Sequence, residues 1–210
     1  MKHLFLFFLF VITSTTVSAQ TEPRIRRGDV QLGGNLDLSV ATSDYSTNSQ
    51  ANPSSVSTFG FGVSPAFFLA NRFALGLGFN YKGTSNYYSQ QTDIIAAPFL
   101  RYYIRLGQKV SLYPELGIGF ASNSYSTLNN FSNSAYQTRG NATGLGGNVG
   151  LGLAVFLNDH IALDFQTRFN SSIVNGIYST NYNYSPITGD YKLQKTALGL
   201  YAGFQVFLGK

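Results

Sequence analysis

From Val30 onward, large apolar side chains recur at every second position. In the stretch Asn71–Gly83, Phe73, Leu75, Leu77, Phe79 and Tyr81 alternate with Ala74, Gly76, Gly78, Asn80 and Lys82. A period of two is that of a β-strand, whose successive side chains point to opposite faces. Eight segments share the pattern, at about 28–42, 56–69, 71–83, 92–105, 110–121, 142–157, 161–170 and 195–208. Ala70-Asn71-Arg72, Gly107-Gln108-Lys109 and Asn158-Asp159-His160 read as tight hairpin turns. Between them lie four long polar stretches, near 43–55, 83–91, 122–141 and 171–194, which read as loops. Asn175-Gly176 and Thr188-Gly189-Asp190 are turn signals that suggest a strand extension within the last of these. Short turns at one end and long loops at the other predict an all-β fold, an eight-stranded antiparallel up-and-down barrel. Pro65, Pro98 and Pro114 fall inside strands, where bulges or irregular pairing are expected.

Volume decides which face lies inside. Each segment carries about five large apolar residues on one face, roughly forty in all, and an eight-stranded barrel has an interior just wide enough for ordinary side chains. The opposite face, built from Gly, Ala, Ser and Asn with a few ions, fits that interior. Composition weighs against the alternative, a soluble, lipocalin-like barrel. Only 11% of the 210 residues are charged, against ~25% in ordinary soluble domains. The apolar face therefore points outward to lipid, and the barrel is transmembrane. The net charge of +5 includes Lys2 and the cluster Arg24, Arg26 and Arg27 ahead of the first strand. No long basic patch with interleaved aromatics is left to suggest a nucleic-acid partner.

The first residues, "MKHLFLFFLFVITSTTVSAQ", have a short basic start, an apolar run from Leu4 to Ile12 and the small-residue sequence Val17-Ser18-Ala19. This predicts a signal peptide over 1–19 and export of the remainder. Residues 20–27 are expected to form a short N-terminal segment and residues 28–210 the barrel domain.

The stretches "FLANRFALGLGFNYKG" (68–83), "PFLRYYI" (98–104) and "LYPELGIGFA" (112–121) resemble the bacterial outer-membrane β-barrel domain family, the small OmpA/OmpX-type eight-stranded barrels of Gram-negative bacteria. The resemblance covers nearly all of the exported chain. It implies an integral protein of the cell outer membrane, with short turns and the N-terminus periplasmic and long loops extracellular. The implied partners are outer-membrane lipid and lipopolysaccharide, with periplasmic chaperones and the barrel-insertion machinery during assembly; a monomer is expected. Many members end on an aromatic residue read by that machinery. This sequence ends Val206-Phe207-Leu208-Gly209-Lys210, where Phe207 or Phe204 would serve instead.

Strand parity sends Asp37, Lys82, Arg101, Arg105, Glu115, Asp164 and Arg168 inward as an interior ion network. A three-residue turn at 107–109 sets Arg101 opposite Glu115 and Tyr103 opposite Tyr113. The turn at 158–160 sets Gly150 opposite Arg168 and Gly152 opposite Gln166. Buried charges persist when paired and hydrogen-bonded, so salt bridges are expected to close the lumen. Catalysis is not expected. Histidine is the usual general base near neutral pH, and His160, the one histidine after residue 19, lies in a short turn without a nucleophile. Neither cysteine nor an HExxH motif is present, and no metal or cofactor is expected. Tyr45, Tyr87, Tyr88, Tyr125, Tyr136, Tyr178, Tyr182 and Tyr184, with Tyr191, lie among Ser, Asn and Gly of the long polar stretches. Such tyrosines anchor at a membrane border or, amid small polar residues, form recognition loops for an extracellular ligand. A structural or adhesion-like surface role is the first functional expectation. A narrow channel or a transporter of small solutes or hydrophobic compounds is the alternative.

Overall fold

The computed structural model describes residues 25–47, 50–131, 134–182 and 185–209. Its strands are β1 (Val30–Thr47), β2 (Gln50–Ala70), β3 (Phe73–Ser85), β4 (Ser89–Tyr102), β5 (Ile104–Arg105), β6 (Val110–Phe131), β7 (Ser134–Phe156), β8 (Ile161–Tyr182) and β9 (Ser185–Leu208). β5 continues β4 past a break at Tyr103, so eight walls form the ring. Each wall pairs antiparallel with its sequence neighbours, and β1 pairs with β9 to close the barrel.

The alternation settles the faces. Val30, Leu32 and Leu36 on β1, Phe59, Phe61, Val63 and Phe67 on β2, Leu116, Ile118 and Phe120 on β6, and Leu198 and Leu200 on β9 are all exposed. Their even- or odd-numbered neighbours line the lumen. Near the short turns, Phe68, Phe99, Tyr103, Tyr113, Phe156 and Phe207 fill it together with Ala66, Ala74, Ala154 and Ala162. Ile25 packs onto this plug from the N-terminal segment. That segment is sewn to the turn end: Gly28 N donates to Phe68 O (2.9 Å), Phe68 N to Asp29 O (3.0 Å) and Arg27 N to Asn71 Oδ1 (3.1 Å). Of the two terminal aromatics, Phe207 is inside and Phe204 faces out. The proposed signal peptide (1–19) and residues 20–24 lie outside the described residues.

The long polar stretches differ from expectation. They are not loops but continuations of the strands, paired to within two or three residues of each hairpin tip. β6 is 22 residues long, which at a rise of ~3.3 Å per residue is roughly 70 Å, while ~9–11 residues suffice to cross a bilayer. The ladder carries on beyond the apolar belt because Thr and Tyr favour extended backbone, and every added pair satisfies two more backbone groups. Asn175-Gly176 and Thr188-Gly189-Asp190 are paired strand residues, not turns: Asn175 faces Lys192 and Gly189 faces Tyr178.

The prolines pair on one side and interrupt the ladder on the other. Pro65 pairs with Leu32, Pro98 with Leu77 and Pro114 with Leu151. On their other sides the β2–β3 ladder skips Ser64 and Pro65, the ladder between β4 and β6 skips Ala97 and Pro98, and pairing lapses at Pro114 between Arg101–Glu115 and Ile104–Leu112, the irregular pairing expected where a ladder N–H is missing. A register shift within β2–β3 lies between Phe68 and Ala70, beside the Asn71-Arg72 turn.

Candidate functional site

The register lays one row of residues across six walls at mid-lumen: Ala74, Arg101, Glu115, Gly150, Arg168 and Gly199. Small residues thus flank or separate large ionic ones. Arg101 is 2% exposed and Glu115 4%. Arg101 Nε donates to Glu115 Oε2 at 3.0 Å, and Nη2 makes the ion pair with the same oxygen. Its third nitrogen, Nη1, donates to the Tyr103 hydroxyl at 3.1 Å. The guanidinium plane also lies 4.9 Å from the Phe99 ring centre and 4.4 Å from that of Tyr113, an arrangement a planar delocalised cation tolerates well.

Gly150 lets the row close. With no side chain between Glu115 and Arg168, Arg168 Nη2 comes to 3.4 Å from Glu115 Oε1. Asn148 Nδ2 donates to that oxygen at 2.8 Å. Arg168 donates further to Asn80 Oδ1 (2.9 Å) and Gln166 Oε1 (2.5 Å), and lies 5.0 Å from the Tyr201 ring. A β-carbon on Gly150 would come within 2.7 Å of Gln166 Nε2. Gly152 makes room in the same way nearer the turns, where the Tyr113 ring occupies the space of its absent side chain. Tyr113 leans over it to donate to Asp164 Oδ1 at 2.5 Å.

Tyr103 ties the closing seam to this cluster. Its hydroxyl lies 2.9 Å from Gln31 Oε1 on β1 and 2.8 Å from Gln205 Oε1 on β9. One hydroxyl proton serves one acceptor. Turning over the other amide, whose Nε2 otherwise has no partner, lets that Nε2 donate to the hydroxyl while the hydroxyl donates to the remaining Oε1.

The remaining predicted ions separate by height. Asp37 meets Lys82 at 3.4 Å nearer the hairpin tips. Arg105, expected in the interior network, lies instead at the turn-end rim, where its Nε donates to Gly107 O at 3.0 Å; β5 is only two residues long and ends there. Absent from the expected set were Asp93 and Lys195. Lys195 Nζ lies 2.6 Å from Asp93 Oδ1, which also accepts from Asn123 Nδ2 at 2.7 Å. Parity could have found both, since Asp93 shares the face of Ala97 and Arg101, and Lys195 that of Gly199 and Tyr201. With Asp37, Lys82 and Asn35, and with apolar side chains such as Ile95 and Val174, they line a cavity of about 120 Å³ in the hairpin-side lumen.

Among the tyrosines, Tyr87 is 84% exposed and Tyr88 is exposed beside it, their rings edge to face at 4.7 Å. Tyr125, Tyr136 and Tyr178 follow the inward register of their strands and are half-buried. Tyr125 packs on Tyr191 at 5.6 Å. They line the inner side of the tall walls and do not sit on loops. Tyr45 and Tyr182 belong to β1 and β8, with side chains outside the described residues, and Tyr184 lies wholly outside them. His160 Nδ1 is 3.1 Å from Phe207 O, within its turn.

The curated proteins compared with this sequence yield no significant match. Among solved structures, the outer membrane protein OprG from Pseudomonas aeruginosa is similar with a TM-score of 0.50 and 14% identity, over 90% of this chain and 100% of that one. Ail, the attachment invasion locus protein of Yersinia pestis, follows at 0.46 and 12%, over 87% and 99%. The N-terminal β-barrel domain of Pseudomonas aeruginosa OprF gives 0.44 and 13%, over 87% and 99%. The likeness to OprG, at 14% identity, is one of fold. A family profile described as "Outer membrane protein beta-barrel domain" matches residues 5–204, so this chain, with its outward apolar belt and ion-filled lumen, belongs to that family and is an integral outer-membrane protein.

Proposed function

We propose that the protein is a closed, non-catalytic barrel with a structural and surface-interaction role. In this reading the short turns face the periplasm, and the tall walls rise from the cell surface as its contact region. The observation that carries it is the filled lumen. Arg101, Glu115 and Arg168 are ion-paired across the mid-section, and the aromatic plug around Phe68 and Tyr103 lies beneath them. A solute path would have to break both layers. Opposite charges at contact in a poorly hydrated interior attract strongly, which favours cross-linking of strands over a wetted passage.

Folded protein in a planar bilayer is therefore expected to give no sustained current. Steady conductance steps that vanish when Arg101 or Glu115 is altered would replace this reading with the narrow channel. The surface role has its own test. Tyr87 and Tyr88 form an exposed aromatic pair beyond the belt, the sort of rigid amphipathic patch that recognition surfaces use. Cells displaying Tyr87→Ser/Tyr88→Ser are expected to lose adhesion to host-cell or matrix surfaces, while the barrel keeps its heat-dependent gel mobility. Adhesion equal to that of the parent would remove the pair from the contact region.

A further inference from the structure

At the turn end, an open basin of about 520 Å³ lies between the N-terminal segment and the Asn71-Arg72 and 107–109 turns. Arg26, Arg72 and Arg105 line it from three separate parts of the chain, with Gln108 and Ser111 as further donors. No acidic residue is among the described residues lining it. Two observations say what it faces. Tyr102 forms part of its wall and is itself an exposed member of the lipid-facing row that continues through Ile104 and Leu106. Arg72 is the one non-glycine residue with positive φ (67°) among the described residues. A side chain there is strained where glycine would not be, and the turn is held against the basin wall by Tyr103 N donating to Arg72 O at 2.8 Å.

We propose that this basin binds the phosphate headgroup of an anionic phospholipid, whose acyl chains lie along Tyr102, Ile104 and Leu106. Guanidinium groups suit phosphate because their planar donor fork engages two oxygens at once, and cations beside a membrane draw anionic lipid to the protein. The apolar row next to the basin favours a lipid over a free anion or an acidic peptide. The inference rests on the proposed orientation only for which leaflet supplies the lipid.

The test is native mass spectrometry of the full chain in detergent, with phosphatidylglycerol or phosphatidylcholine added. Phosphatidylglycerol is expected to be retained preferentially. Arg72→Gly, which relieves the turn, and Arg26→Gln, on an exposed segment, are each expected to weaken it roughly fivefold, as one cation near a membrane surface does. Arg139→Gln/Lys192→Gln, on the outward face toward the hairpin tips, should leave retention unchanged. Equal retention of the two lipids overturns the proposal. So does a phosphatidylglycerol preference that survives the Arg26/Arg72 double variant, or one carried by Arg139 and Lys192. Retained heat-dependent mobility shows that each variant is folded. Protease cleavage of the hairpins on intact cells reads orientation separately, so the two readings can fail independently.

Discussion

Glu115→Ala is expected to be the most damaging single change in the lumen, at about 3–5 kcal/mol, because it leaves buried charge without its partner. The geometry makes the damage unequal between the partners. Glu115 answers two guanidiniums, Arg101 through Oε2 and Arg168 through Oε1. Its removal strands both, and they then repel each other across the space it occupied. Arg101→Ala leaves Glu115 still held by Arg168 and by Asn148 Nδ2, so it should cost less than Glu115→Ala. The Arg101→Ala/Glu115→Ala double variant should fall well short of the sum of the singles, since residues within one network couple. Denaturant titration in detergent or lipid, followed by heat-dependent gel mobility, measures all three. Additive losses, or an Arg101→Ala loss exceeding that of Glu115→Ala, would mean that the carboxylate is not the hub.

The second large effect tests the outer face by depth. On β6 the outward row runs Val110, Leu112, Pro114, Leu116, Ile118 and Phe120, then Ser122, Ser124 and Ser126, then Leu128. Leu116 and Leu128 have similar exposure, 57% and 49%. In water they would be equivalent surface leucines. In a bilayer Leu116 lies near the middle of the belt, and Leu128 stands beyond three serines. Leu116→Arg is expected to cost ~2–4 kcal/mol and Leu128→Arg ~0–1 kcal/mol, following the depth dependence of lipid-facing charge on barrels. Equal costs at the two sites would contradict a bilayer centred on the apolar belt.

What the sequence made legible follows from which contacts a register can reach. The opposition of Arg101 and Glu115 is readable because three turn residues at 107–109 fix the hairpin and parity fixes the face. Arg168 to Glu115 is readable only by chaining two registers through Gly150, with the added condition that the middle residue has no side chain. Tyr103 to Gln31 and Gln205 spans the closing seam, and no turn fixes the register there. The Asp93–Lys195 pair crosses the lumen between β4 and β9, which are not neighbouring walls, so no hairpin register joins the two although parity turns both inward. Above the belt both faces are polar, so the period of two persists in the backbone but leaves no trace in hydrophobicity. The same cause disguised the tall walls as loops and moved Tyr125, Tyr136 and Tyr178 from expected display sites to inner-face positions. Arg105 shows the converse limit: parity gave its face but not its height, and the height puts it at the rim.

Among the described residues, the seam between β1 and β9 joins seven residue pairs, Val30–Leu36 against Leu208–Ala202, whereas β1 meets β2 over 18 and β8 meets β9 over 22. The local hairpins close short stretches of chain, but the seam must bring together the two extremes of the domain, and long-range closure is entropically costly and slow. Assembly should therefore run as fast zippering of hairpins into a curved, still-open sheet, followed by a late docking of its first and last strands. In a refolding time course, strand content is expected to rise before heat resistance, with the lag lengthened by substitutions at Leu36 or Ala202 and insensitive to those at the hairpin tips. Until that docking, β1 and β9 each present a free edge, so the same short seam that completes one molecule is also where two incompletely closed molecules could exchange strands.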